Sequence, residues 1–390
     1  MTQYNFDEII DRESSSCYKY DLRAKLFGTS DVKPMWVADM DFRTPTFITE
    51  ALKKRMEHEI FGYTVPPLAL KQTCSNWQQK RYGWDANPDW FGFVPGIVTG
   101  LGLAVNTYTQ PGDKIIIQPP VYPPFFKVPL GNGRQVVYNP LKEVNGQFEM
   151  DFELLKQQFD DKTRLFILCH PHNPGGRVWD RKTLLTLAEI CAEKGVLIIS
   201  DEIHADMTFS SYTHIPFASL SETARENSIT FMSPSKTFNV PGLINSYYVI
   251  PNPSLRRQYE LAMEHMDLHV NLFGFVATQA AYQYGEEWLD QMVNYLEGNA
   301  RTVVSFFEDK LPVVKAMMPE SSFLIWLDFR ELDLSNEALR RLIIDKAKLG
   351  LNDGPTFGPG GDGHQRINVG CARSEVIDAL ERIERAVKSI

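Results

Sequence analysis

The sequence predicts an α/β fold, with a large unit on a mostly parallel central sheet flanked by helices and a smaller α+β unit after it. Three observations carry this. Between about residues 114 and 250, short β-branched runs alternate with amphipathic stretches, the pattern of strands joined by helical crossovers. Those runs are apolar throughout, as strands buried on both sheet faces are. The chain has 390 residues, more than one hydrophobic core usually fills, so a second unit is expected.

Taken in order, residues 1–45 are irregular and are assigned as an N-terminal segment associated with the smaller unit. The large unit spans 46–285 and the small C-terminal unit 286–390. A helix is expected just after Gly96-Ile97-Val98, where an apolar pattern begins near Thr99. Strands are predicted at 114–118, 135–138, 165–169, 196–200, 228–232 and 247–250. The helix predicted over 182–194 gathers Leu184, Leu187, Ala188 and Cys191 on one face. A long helix over 285–311 carries Trp288, Leu289, Met292, Val293 and Leu296 as an apolar stripe. The small unit then needs a strand over 323–329, a helix over 337–348, a strand near 366–369 and a closing helix over 374–390.

Composition narrows the function classes. A net charge of −9, with 40 basic against 49 acidic residues, argues against a nucleic-acid surface. No apolar run approaches bilayer length, and residues 1–10 lack a basic segment followed by an apolar core, so neither a membrane span nor a signal peptide is expected. Five scattered cysteines without a C-x-x-C pair disfavour a disulfide framework and a zinc site. The expected location is the cytoplasm.

The chemistry concentrates in Ser233-Pro234-Ser235-Lys236-Thr237-Phe238-Asn239. A lysine among small hydroxyl residues can form a Schiff base with an aldehyde cofactor while Ser233 and Ser235 bind its phosphate. Asp201 follows a predicted strand and can keep a pyridine nitrogen protonated; a strand-end or N-cap aspartate is the plainer alternative. Together these describe a pyridoxal phosphate (PLP) site. Asn173, in His170-Pro171-His172-Asn173-Pro174-Gly175-Gly176, can donate to the cofactor's phenolic oxygen or serve the turn alone. Asn173, Asp201 and Ser233 each follow a predicted strand, and in such sheets ligands collect at the strands' carboxyl ends.

Tyr122 can stack on a flat ring or pack in its loop. Backbone N–H groups at Ile97 and Val98 can face a phosphate. His204 either sits near the phenolic oxygen or is a packed histidine. The loop Gly358-Pro359-Gly360-Gly361-Asp362-Gly363 lacks the lysine and helix of a phosphate cradle and reads as a connector or lid. His265 and His269 have the spacing of a metal pair but no third ligand, so no metal is expected.

Taken together these motifs resemble the fold type I PLP enzymes, the aspartate aminotransferase superfamily, over nearly the whole chain. The segments Pro34-Met35-Trp36-Val37-Ala38-Asp39-Met40-Asp41-Phe42, Ser200-Asp201-Glu202-Ile203-His204-Ala205-Asp206 and Arg366-Ile367-Asn368-Val369-Gly370-Cys371-Ala372-Arg373-Ser374 resemble the MalY/PatB carbon-sulfur lyases, or cystathionine β-lyases. The resemblance implies Lys236 as Schiff-base and proton-transfer lysine, Asp201 as pyridinium partner, Asn173 as phenolic-oxygen donor and Tyr122 as stacking ring. It also implies that Arg373 binds the substrate α-carboxylate and that residues 36–38, Ala38 included, line the substrate entrance with backbone N–H groups. Tyr63 matches a tyrosine that reaches the cofactor phosphate from the neighbouring subunit, which implies a homodimer.

Many aminotransferases carry a phosphate-binding arginine eight residues after the lysine, where this chain has Ile244. The resemblance therefore implies a β-lyase that cleaves L-cystathionine or related cysteine thioethers to thiol, pyruvate and ammonia. A class I aminotransferase is the alternative, since both reactions share their first half. A further alternative is a protein acting mainly as a regulatory binding partner, although no surface in the sequence identifies one.

Overall fold

The computed structural model describes residues 3–390. Its larger sheet has seven strands: β1 (Phe91–Val94), β2 (Lys114–Ile117), β3 (Gln135–Tyr138), β4 (Thr163–Cys169), β5 (Leu197–Asp201), β6 (Ser228–Met232) and β7 (Ser246–Val249). They lie in the order β1-β7-β6-β5-β4-β2-β3. The pairs from β6 through β5, β4 and β2 to β3 are parallel, and β7 runs antiparallel to both β6 and β1. The fold class is the one the apolar runs imply.

Strand β1 escapes the sequence pattern because Gly92 interrupts a run of only four residues. The structure gives the reason for the glycine. Gly92 pairs with Tyr248 across the sheet, and the Tyr248 ring occupies the space a Cβ at position 92 would need, 2.0 Å away.

Both faces of the sheet are covered, as a parallel sheet requires. Helix α1 (Ile97–Tyr108) packs Leu101, Ala104 and Val105 with Tyr259 against one face. Helix α2 (Arg181–Glu193) lays Leu184, Leu187, Ala188 and Cys191 on the other, the four residues its sequence pattern selects. Helix α3 (Glu286–Lys310) buries the predicted stripe Trp288, Leu289, Met292, Val293 and Leu296.

A second, antiparallel sheet holds β8 (Lys315–Ala316), β9 (Leu324–Asp328), β10 (Asn352–Asp353) and β11 (His364–Asn368), in the order β8-β9-β11-β10. The helix expected over 337–348 starts as α-helix at Asn336–Arg341 and continues as a π-helical turn over Leu342–Lys346. Leu342, Ile343 and Ile344 in that turn are all buried. Helix α4 (Arg373–Val387) closes the chain. Near the other end, Lys33–Pro34 pairs in parallel with Leu349–Gly350, so the N-terminal segment is tied to the smaller sheet's surroundings.

Candidate active site

The parallel register aligns Cys169 with Asp201 and Asp201 with Phe231, which places the carboxyl ends of β4, β5 and β6 side by side. Asp201 is the last residue of β5, Asn173 lies in the loop after β4, and Lys236 sits in the short helix Pro234–Thr237 after β6. These three groups, with Tyr122, His204 and Ser235, line one cavity of about 290 Å³. Residues far apart in sequence meet because ligands and loops gather at this edge of an α/β sheet.

One end of the cavity is suited to an anion. Gly96 stands at φ +91°, outside the range L side chains adopt readily, and supplies no side-chain cap to α1. The first amides of the helix, at Ile97, Val98 and Thr99, therefore remain available among the lining residues. Ser235 borders them. Ser233 does not: its Oγ accepts from the Ser235 N–H at 3.1 Å, donates to Asn245 O at 2.7 Å and lies 2.8 Å from Ser235 Oγ. This hydroxyl caps the lysine helix and orients Ser235.

The other end carries a carboxylate. Asp201 is buried, its Oδ1 accepts the Ile203 N–H at 3.1 Å, and burial pushes its pKa up to about 7. A buried carboxyl so poorly compensated favours a cation placed against it. Between the two ends, Lys236 Nζ donates to Ala38 O at 2.5 Å. Burial lowers its pKa to about 8; Asp39 opposes the shift, Arg366 adds to it and Asp201 opposes it. His204 lines the cavity, with Nδ1 3.0 Å from Ser322 Oγ, and burial lowers its pKa to about 3. It is a neutral imidazole at neutral pH.

Along residues 36–38, of which Ala38 lines the cavity, the carbonyls are engaged: Trp36 O accepts from Arg366, Val37 O from Asn368 and Ala38 O from Lys236. One feature of the opposite wall differs from the sequence reading. Arg373 stands away from the cavity, its Nε donating to Asn299 Oδ1 at 3.0 Å and its guanidinium lying 4.9 Å above the Tyr295 ring. The arginine beside the site is Arg366. It is buried in β11, donates from Nη1 to Asn173 Oδ1 at 2.9 Å and from Nη2 to Trp36 O at 2.9 Å and Asn352 Oδ1 at 2.6 Å, and leaves Nε without a partner. Burial lowers its pKa to about 10.

With Oδ1 of Asn173 held by Arg366, its amide N–H groups are left for the cavity. The signal for Arg366 was present in the sequence as a charged residue inside a predicted strand.

Tyr63 is fully exposed and lies in a separate groove with Phe61, Val270 and Phe273, so it does not reach the cavity of its own chain. Among the described residues no group of three or more His, Cys, Asp or Glu is placed to hold a metal ion, and His269 Nε2 lies 2.8 Å from Asp267 Oδ1 on the surface. The glycine-rich loop near Gly358 packs beside Pro119 and Pro120 and lines no part of the cavity. The donor set as a whole fits PLP: amides and a hydroxyl for a phosphate, a primary amine for an aldehyde, a buried carboxyl for a pyridine nitrogen and an amide for a phenolic oxygen.

Residues 35–383 match the family of class I and II aminotransferases. The chain belongs to that family. Within it, the chain is 45% identical to cystathionine beta-lyase PatB of Bacillus subtilis (strain 168) over 385 residues, covering 98% of this chain and 100% of PatB. It is 31% identical to protein MalY of Escherichia coli (strain K12), over 99% of this chain and 100% of MalY. The structure of cystalysin from Treponema denticola, which contains a pyridoxal 5'-phosphate cofactor, superposes with a TM-score of 0.96 at 34% identity, covering all of both chains. Ile244, eight residues after Lys236, lines the cavity with an apolar side chain.

Proposed function

We propose that this chain is a PLP-dependent carbon-sulfur β-lyase that cleaves L-cystathionine or related cysteine thioethers to a thiol, pyruvate and ammonia. The observation that carries the reading is the convergence of Lys236, Asp201 and Asn173 on one cavity, in a chain 45% identical over its length to a cystathionine β-lyase. Bound there, PLP supplies an electron sink for the negative charge that develops at the substrate α-carbon.

The chain's own residues do the rest. Lys236 Nζ would anchor the cofactor and, when free, would take the substrate α-proton; a pKa near 8 keeps part of the free amine unprotonated near neutrality. Asp201 would keep the pyridine nitrogen protonated. Ser235 and the amides at Ile97 and Val98 would hold the phosphate, Tyr122 would pack on the ring, and Asn173 would donate to the phenolic oxygen. Arg366, rather than Arg373, receives the substrate α-carboxylate, which its planar donors match. Loss of the α-proton then expels the thiolate from the β-carbon, and water completes the release of pyruvate and ammonia.

The working unit is a homodimer in which the partner's copy of Tyr63 reaches the phosphate. Full exposure of that tyrosine supports the reading. Mixing inactive Lys236→Ala and Tyr63→Ala chains then restores partial activity, because one site of the heterodimer keeps both native residues. The large and small units divide at 45/46 and 285/286, with the N-terminal segment grouped with the small unit. Five cysteines without a disulfide fit a reducing cytoplasm, and no helix among the described residues is long and apolar enough to cross a membrane.

The test is product analysis with L-cystathionine alone. Thiol and pyruvate appearing together in equal amounts, with L-serine nearly inert because hydroxide is a poor leaving group, support the lyase. No thiol from any cysteine thioether overturns it.

A further inference from the structure

Residues 36–42 form a strap between the two sheets. Its ends are tied by backbone bonds, Met35 N to Gly350 O and Asp41 N to Gly370 O. Between them side chains take the carbonyls: Arg366 on Trp36, Asn368 on Val37 and Asp39, and Lys236 on Ala38. Buried backbone must be paired, and a strap held by side chains moves when those side chains move.

Asn239 grips the strap most closely. Its Nδ2 donates to Met40 O at 2.8 Å and Phe42 O at 2.7 Å, and its Oδ1 accepts the Met40 N–H at 2.9 Å. Its own carbonyl accepts from Thr44 Oγ1 at 3.1 Å. The backbone at Asn239 has φ +55°, a left-handed conformation that asparagine tolerates better than most residues. Only two residues separate it from Lys236, so one loop carries both the reactive amine and the clamp on the strap that faces it.

We propose that Asn239 is a positioning residue for the reaction: by fixing the strap to the lysine loop, it holds the Ala38 carbonyl where it receives the Lys236 amine whenever that amine is not bound to cofactor. The proposal rests on the lyase reading for its place in the reaction, but its geometry does not. The carbonyl gives the amine a fixed acceptor while the substrate occupies the cofactor. The charged and titratable groups that act on Lys236 are Asp39 and Asp201, which favour the ammonium, and Arg366, which opposes it; His204, on the same cavity wall, is neutral.

The experiment measures the reactivity of Lys236 in the full-length, cofactor-free chain: its rate of amine labelling against pH, read by peptide mapping. Asn239→Gly removes the amide but permits the positive φ; Asn239→Asp keeps the shape and removes both donors. In Asn239→Gly, with the Ala38 carbonyl displaced, the ammonium loses a hydrogen bond and the labelling midpoint falls by about one pH unit from about 8, giving about fivefold faster labelling at pH 7, whereas the carboxylate of Asn239→Asp offsets part of that fall. In the holoenzyme kcat falls more than KM rises. A lower melting temperature with an unchanged midpoint in a folded variant means a structural role alone and overturns the proposal. So does fast exchange of the Met40 amide in the unmodified chain, which is readable even where both variants fail to fold. A shifted midpoint in a chain without lyase activity would sink the functional reading and leave the clamp standing.

Discussion

The two walls of the cavity are built by different means. The wall at the carboxyl edge of the large sheet presents side chains set on strand ends, and strands β5 and β6 beneath it are buried throughout. The facing wall is the strap over 36–42, of which Ala38 lines the cavity, backed by Arg366 of strand β11 and held by hydrogen bonds between residues as much as 331 positions apart. The first wall is fixed by apolar packing and the second by polar contacts. Changes on the first should therefore remove chemistry, and changes on the second should misplace the substrate.

The largest expected effect lies on the first wall. Lys236→Ala should lower thiol release from L-cystathionine by about four orders of magnitude or more, since both the anchor and the proton acceptor are lost. Reduction with borohydride should leave no cofactor label at position 236. Substantial turnover in that variant would break the division between the walls.

The second wall is tested by two arginines seven positions apart. Arg366→Ala should cost about 2 to 5 kcal/mol in kcat/KM, from loss of a desolvated carboxylate partner, with KM strongly raised. Arg373→Ala should leave kcat/KM within about threefold and act on melting temperature, since its side-chain bonds to Asn299 Oδ1 and the Tyr295 carbonyl only tie α4 to α3. Steady-state kinetics decide the matter, and the reverse pattern would return the carboxylate to Arg373.

A smaller effect concerns pH. In the cofactor-free chain Asp201 has its pKa raised from 3.8 to about 7, so between those values the folded state holds a proton that the unfolded state has released. Its contribution to stability is thus lost as pH rises through that window, up to about 4 kcal/mol. Buried His170, His172, His204 and His214, all lowered to about 3, act in the opposite direction by losing stability as pH falls. Comparing denaturant unfolding of the chain with that of Asp201→Asn isolates the aspartate: the difference should favour the variant increasingly from pH 4 to pH 7. A difference that does not vary with pH would mean Asp201 is not held protonated.

The smallest effect is at Ile244, a β-branched residue at φ +44° and ψ +64° with an exposed side chain. Ile244→Gly should stabilise the chain by about 1 kcal/mol by releasing backbone strain at the rim of the cavity. Thermal unfolding reads this directly, and destabilisation would show that the isoleucine side chain has a packing role.

How much of this the sequence reveals follows from the same contrast. Lys236, Asp201 and Asn173 are legible because each sits close to an apolar run that announces its strand, and local pattern places all three at one sheet edge. The strap is not legible. The carbonyls of Trp36 to Ala38 are held by Arg366, Asn368 and Lys236, far away in sequence, and no local period reports it. Arg366 and Arg373 show the limit sharply: both follow from one motif, but only burial within β11 tells the site arginine from the helix-start arginine. Ser233 reads as a ligand from its spacing to the lysine, while its bond to the distant Asn245 carbonyl has no local signal. Strand β1 is hidden by a glycine whose purpose is the ring of Tyr248.

The central claim is that this cavity eliminates a thiolate rather than exchanging an amino group. The most direct measurement places L-cystathionine and 2-oxoglutarate together with the enzyme in one vessel and counts thiol and pyruvate against glutamate. The account predicts thiol and pyruvate in equal amounts, far in excess of glutamate, and no dependence of thiol release on 2-oxoglutarate. Glutamate forming at the rate of substrate loss, without thiol, would contradict it and assign the chain to transamination.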